Sequence, residues 1–161
     1  MKSKRYSVYQ LFKIRYSFSG FRLAGVVVDE EEKTVQVSLK RVGCTSICPS
    51  CKRRCKTFEA FYTRRVRLRD VFEYECRVDF MERKIRCKCG YRGLEELCFV
   101  RPYSHCTRSL EELVAGFCVV LSISEASKKF RLDWKTVKEI DKQSILEHLP
   151  GLKEFNPVRI G

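Results

Sequence analysis

The sequence predicts an α+β fold, strands first and helices last, on three observations. Residues 34–40 and 74–80 alternate apolar and polar side chains, the period of a half-buried strand. Cys48-Pro49-Ser50-Cys51 is answered by Cys87-Lys88-Cys89 across a long basic stretch. After residue 107 the apolar period changes to that of a helix. Structural zinc sites take four sulfur or nitrogen ligands, commonly as thiol pairs a few residues apart. The expected order is therefore an N-terminal β-hairpin and a zinc ribbon, followed by a three-helix helix-turn-helix unit. Its expected boundaries are 1–40 for a basic arm and hairpin, 41–104 for the ribbon, 105–150 for the helices and 151–161 for a linker.

Residues 1–18 are basic and aromatic, and fit either an arm along nucleic acid or a lead-in packed on the first hairpin. In that hairpin Val26, Val27 and Val28 are β-branched, and Glu30, Glu31 and Glu32 occupy a polar turn. Strict alternation then puts Val35, Val37 and Leu39 on one buried face. The three glutamates read as a charged hairpin tip rather than as metal ligands.

The metal ligands are expected to be Cys48, Cys51, Cys87 and Cys89. Each pair forms a knuckle, and the segment between them leaves as one strand, Phe61 to Leu68, and returns as another from Tyr74 towards Cys87. So small a sheet buries little apolar surface, so the metal supplies much of its folding energy. Two other groupings stay open: a local cluster of Cys44, Cys48, Cys51 and Cys55, and a second set of Cys98, His105 and Cys106. Cys76 falls on an apolar strand face and reads as a small buried hydrophobe. Along the first strand Arg64, Arg65 and Arg67 are expected to meet phosphates.

In the helical part Leu110, Leu113, Val114, Phe117, Cys118 and Leu121 form one apolar stripe. Ser109 with Glu112, and Ser122 with Glu125, carry the spacing of a capping box, and Asp133 is placed to cap a third helix. Pro150-Gly151 stops that helix. A short second helix, a tight turn and a longer third helix make the helix-turn-helix layout, whose second helix of the pair lies in the major groove. Ala126, Phe130, Leu132, Val137 and Ile140 take its buried positions. Lys135, Thr136, Lys138 and Lys142 face outward as DNA contacts, and Trp134 either touches DNA or packs beneath the helix.

The formal charge is +13, from 33 Lys+Arg against 20 Asp+Glu, and residues 52–92 alone hold 14 basic and 6 acidic side chains. Such an excess points to an anionic partner, nucleic acid before membrane. The start of the chain lacks the apolar core of a signal peptide, and no apolar run is long enough to span a bilayer. Ten cysteines in a reduced, cytoplasmic protein signal metal rather than disulfides.

Cys48-Pro49-Ser50-Cys51, the strand ending Arg67-Leu68-Arg69-Asp70, the segment Arg83-Lys84-Ile85-Arg86-Cys87, and Thr107 followed by a helix-turn-helix resemble the N-terminal half of the ISL-three family of insertion-sequence transposases. The resemblance covers residues 44–161. It implies a structural zinc and double-stranded DNA as partner, specifically the terminal inverted repeats of a mobile element, with a second copy of the chain as a further candidate partner. In that family a catalytic domain of RNase H-like fold, carrying an Asp-Asp-Glu metal triad, follows. Val158-Arg159-Ile160-Gly161 resembles the approach to its first strand, so no catalytic residue is expected in this sequence and the chain is expected to bind DNA without cutting it. The family spaces its second cysteine pair more widely than Cys87-Lys88-Cys89. The alternatives are a fragment of an active transposase, a stand-alone transcriptional regulator, and a zinc-ribbon RNA-binding protein.

Overall fold

The computed structural model describes Gln10, Tyr16 and residues 18–148. The rest of the expected N-terminal arm, the Pro150-Gly151 stop and the linker 151–161 lie outside the described residues. The fold is α+β, in two compact units, Met1–Ser109 and Leu110–Gly161.

The first unit holds seven strands: β1 (Phe21–Asp29), β2 (Thr34–Arg41), β3 (Ser46–Ile47), β4 (Arg54–Cys55), β5 (Phe58–Arg67), β6 (Glu75–Arg86) and β7 (Arg92–Leu94). β1 and β2 form the expected antiparallel hairpin. At its tip the Asp29 carboxylate accepts from the backbone N–H of Glu31 at 3.0 Å and Glu32 at 2.9 Å, so the glutamate run is a turn. β5 and β6 form a second, longer antiparallel hairpin. β2 then runs parallel to β6, Val35 opposite Cys76 and Val37 opposite Val78, which joins the two hairpins in one sheet. The hairpin assigned from sequence to 1–40 and the strand pair of the ribbon assigned to 41–104 are thus joined through the β2–β6 pairing.

Alternation decides the buried face. Val35, Val37, Leu39, Val66, Leu68, Cys76, Val78 and Phe80 all point inward, joined by Leu97, Phe99 and Val100 from the stretch after β7. The Phe99 ring meets Phe18, Phe21 and Phe80 edge-on at 5.1–5.5 Å between centroids, a favoured aromatic geometry. Cys76 is fully buried, and desolvation pushes its thiol up to about 11, which suits a packing residue and not a ligand.

The remaining elements are α1 (Arg108–Cys118), α2 (Ile123–Phe130) and α3 (Trp134–His148). α1 begins at Arg108, so Ser109 lies in its first turn instead of capping it, and the expected box with Glu112 is not where the helix starts. The box at α2 forms in full: the Ser122 hydroxyl accepts from the Glu125 N–H at 3.3 Å, and the Glu125 carboxylate accepts from the Ser122 N–H at 2.9 Å. α2 stops at Arg131, whose backbone is left-handed (φ 51°, ψ 43°) where glycine is the usual choice. Asp133 then caps α3, accepting from the Lys135 N–H at 2.8 Å. Ala126, Phe130, Val137 and Ile140 are buried as expected, Leu132 is half-buried, and Phe117 meets Phe130 edge-on at 5.3 Å. Ser122→Ala is expected to cost about 1 kcal/mol of helical-unit stability, since it removes the acceptor for an otherwise unpaired helix N–H. Thermal unfolding followed by the helical circular dichroism signal measures it.

Among the described residues no helix is long and apolar enough to cross a membrane.

Candidate metal centre and nucleic-acid interface

The two cysteine pairs sit in the turns of two hairpins. Cys48 to Cys51 lie in the β3–β4 turn, where the Cys48 N–H donates to the Arg53 carbonyl (3.0 Å) and the Lys52 N–H returns to the Cys48 carbonyl (2.9 Å). Cys87 to Cys89 lie in the β6–β7 turn, closed by Cys87 N–H to the Tyr91 carbonyl (2.8 Å) and Gly90 N–H to the Cys87 carbonyl (3.1 Å). Each turn needs a left-handed residue just after its pair, Lys52 at φ 58° and Gly90 at φ 95°. That conformation folds the chain back so that both sulfurs of a pair point the same way.

The four sulfurs lie within 4.8 Å of one another. Cys48 and Cys89 are 3.7 Å apart, and Cys51 and Cys87 are 3.6 Å apart. Zinc–sulfur bonds of about 2.3 Å imply a tetrahedral edge of about 3.8 Å, so the cluster is compatible with one tetrahedral metal. The single residue between Cys87 and Cys89 does not prevent convergence, because the Gly90 turn supplies the reversal. Backbone N–H groups face the sulfurs. The N–H of Tyr91 leads in holding the Cys89 thiol down to about 7, with its three thiol neighbours adding to the effect and burial opposing it. The N–H of Cys89 draws Cys87 the same way, but burial and the neighbouring thiols outweigh it and push that thiol up to about 12.

The other groupings left open by the sequence are not assembled. The Cys55 thiol is buried and donates to the Arg86 carbonyl at 3.0 Å. Cys44 is exposed and outside the cluster, and Cys98, His105 and Cys106 do not come together. Among the described residues the four-cysteine group is the sole set of three or more such side chains arranged to hold a metal.

The three β5 arginines expected to meet phosphates all have partners within the first unit. Arg64 turns inward: its guanidinium donates to Glu82 at 2.8 Å and to the Ser104 carbonyl, with side-chain exposures of 16% for the arginine and 2% for the glutamate. Burial pushes the Glu82 carboxyl up, against the pull of Arg64. Arg67 is 11% exposed and holds Asp70 and Glu75 at the hairpin end. Only Arg65 of the three is open to solvent, and it grips Asp79 with two donors at 2.8 and 2.9 Å. A second inward pair, Arg41 with Glu95, lies on the same sheet, and the Arg83 N–H also donates to Glu95 at 2.9 Å. Each of the three β5 guanidiniums thus already has a carboxylate partner. The signal lay in the alternation: Arg64 shares a face with Val66 and Leu68, and Glu82 shares one with Cys76, Val78 and Phe80.

On α3, Lys135, Lys138 and Lys142 are exposed and Thr136 is half-buried. Trp134 is 48% exposed, so it is not packed beneath the helix, and the Lys138 ammonium sits 5.0 Å from its ring. Positions 134, 138 and 142 repeat every four residues and form one stripe on the helix.

Residues 95–145, which take in α1, α2 and most of α3, match the helix-turn-helix domain of transposase family ISL3. The chain is also 27% identical over 135 residues to a transposase for insertion sequence element IS1001 from Bordetella parapertussis, an alignment covering 81% of this chain. The aligned part amounts to 33% of that relative, so the chain spans about a third of its length. No solved structure matches the chain.

Proposed function

From the match of residues 95–145 to the helix-turn-helix domain of transposase family ISL3 and the likeness of the chain to an insertion-sequence transposase, we propose that it is a zinc-stabilised module that binds double-stranded DNA, with the terminal inverted repeats of a mobile element as its target. The observation that carries the reading is the α2–turn–α3 arrangement inside the matched residues. A capped α2, a left-handed Arg131 and a capped α3 leave one helix edge lined by Trp134, Lys135, Lys138 and Lys142. In such a unit the N-terminal part of α3 lies in the major groove and meets base edges. Trp134 and Thr136 offer apolar contact and a hydroxyl there, and the lysines offer donors to guanine or phosphate.

Cys48, Cys51, Cys87 and Cys89 would hold the zinc. Its contribution is structural, since four thiolates close its coordination and leave no position for water or substrate. In this reading the 161 residues bind DNA and do not cut it. Two-metal phosphoryl transfer requires converging carboxylates. Here Glu59, Glu75, Asp79, Glu82 and Glu95 are each engaged by arginine, and Asp133 caps a helix.

Recognition by α3 is tested by replacing Lys135, Thr136 and Lys138 with Ala together. A good bidentate base contact is worth about 1–3 kcal/mol of discrimination. The triple variant is therefore expected to flatten the sequence profile obtained by selection from random duplexes by at least tenfold, with helical circular dichroism unchanged. An unchanged profile would remove α3 from the recognition surface.

A further inference from the structure

The first unit has a different set of cations to offer DNA. A cavity of about 620 Å³ opens beside the cysteine cluster, lined by residues of both knuckles and of the strands that carry them. Arg53, Arg54, Lys56, Arg86 and Lys88 line it, together with Cys44, Cys51, Cys55, Cys87 and Cys89, and no acidic residue does. Arg86 is spoken for, because it shares Glu59 with Arg92 at 3.0 and 2.7 Å. Lys52, just outside the lining, is held by Glu96 at 2.8 Å. Arg53, Arg54, Lys56 and Lys88 are all exposed, and among the described residues none of them has an ion-pair partner.

We infer that this groove at the knuckles, through Arg53, Arg54, Lys56 and Lys88, is the surface of the first unit that holds the phosphate backbone of duplex DNA. The inference rests on the DNA-binding reading given above and moves the backbone contacts from β5 to the two hairpin turns. Charge distribution separates the two surfaces. On β5, Arg64, Arg65 and Arg67 each have a carboxylate within 4.0 Å, so a phosphate would have to displace an existing partner. In the groove a phosphate displaces only water and small ions, whose release is the driving force of backbone binding. A zinc with four thiolates carries a formal charge of about −2, so four unpaired cations leave the groove positive even with metal in place. Short turns also favour the contact. Arg53 and Lys88 lie within two residues of expected metal ligands, so the backbone that presents them is fixed while the ends of their side chains stay free.

The test is binding of the whole chain to a duplex from the element's ends, with affinity measured across a range of salt, for wild type and for the variant Arg53→Gln/Arg54→Gln/Lys56→Gln/Lys88→Gln. Each phosphate contact contributes about 0.9 to the slope of log affinity against log salt. The variant is expected to flatten that slope by about 3–4 and to bind about a thousandfold more weakly at 0.1 M salt, with zinc content and circular dichroism unchanged. Wild-type affinity and slope in the variant, from a wild type that does bind, would overturn the groove and leave the DNA-binding reading standing. A wild-type chain that binds no duplex would overturn that reading itself. Loss of zinc from the variant would overturn the groove by assigning its cations to the metal, as would a wild-type preference for RNA of the same length. A second readout uses the exposed Cys44 thiol in the groove. A photo-crosslinker placed there is expected to capture the duplex, and one placed on the exposed Cys98, outside this lining, is not.

Discussion

Cys48→Ser is expected to strip the metal from the chain and unfold the knuckle end of the first unit, while the main sheet core survives. The apolar cluster around the cysteines explains why. It holds four buried residues, Cys48, Cys55, Ile85 and Cys87, with Cys51, Phe58 and Tyr91 partly buried against it. β3 and β4 are two residues long each, pair with one another, and gain only a single further bridge, Ile47 to Glu96. A two-stranded ribbon of that size is not stable in water on its own. Structural zinc sites in small peptides supply on the order of 10–16 kcal/mol, which is then folding free energy. The larger core is a separate cluster with its own strand pairings, so the loss is local. Metal analysis of the wild type is expected to find one zinc per chain and of Cys48→Ser none. Hydrogen exchange is expected to speed up through 44–57 and 86–94 and to stay slow through 75–80. Cys55→Ser is the control: that thiol is spent on the Arg86 carbonyl, so the variant is expected to keep its zinc. Full zinc retention by a Cys48→Ser/Cys87→Ser double variant would sink the assignment.

What could be read from the sequence was local. The hairpin at 21–41, the long strand pair, the capping box at Ser122 and the cap at Asp133 each depend on residues within a few positions of one another, where period and hydrogen-bonding chemistry act directly. The cysteine cluster was legible because two closely spaced thiol pairs stand out in the sequence, although they stand 36 residues apart across the Cys51–Cys87 edge. The parallel pairing of β2 with β6 was not legible. Parallel neighbours leave no turn between them to announce the register, so nothing near Val35 or Cys76 marks them as partners. The partners of the arginines were not legible for a related reason. A run such as Arg64-Arg65-Val66-Arg67 announces charge, but only the strand's alternation and the facing strand's Glu82 and Asp79 decide which guanidinium is neutralised. The turn cations Arg53, Arg54, Lys56 and Lys88 drew less attention because turns are expected to be polar. Their lack of carboxylate neighbours becomes visible only once the two knuckles are brought together.

Arg64→Ala is expected to cost about 3–5 kcal/mol of stability, and not simply to weaken DNA binding. Removing one partner of a buried ion pair leaves the other charge without compensation. Here the orphan would be Glu82, 2% exposed, on the central strand of the sheet and beside the second acidic group, Glu95. The exposed neighbour gives the contrast. Arg65→Ala breaks a pair whose arginine is 58% exposed, and solvent-screened pairs are worth about 0–1 kcal/mol. Sequence reading treats these adjacent arginines alike, whereas the structure buries the Arg64 pair and leaves the Arg65 pair largely open to solvent. The pH dependence carries a sign of its own. Glu82 titrates above its ordinary value because burial outweighs Arg64, so protonation favours the folded state. Such a group disfavours the folded state increasingly as pH rises from the unfolded carboxyl value through the folded one. Without Arg64 the folded value rises further, and the deficit of Arg64→Ala relative to wild type is expected to be smallest below about pH 4.5 and to grow towards neutrality. Arg64→Met/Glu82→Gln, which removes both charges at similar volume, is expected to recover most of the lost stability. Denaturant unfolding of the three variants at several pH values measures all of this. An Arg64→Ala chain with a wild-type midpoint and uniformly weaker DNA binding would show that the guanidinium faces phosphate after all.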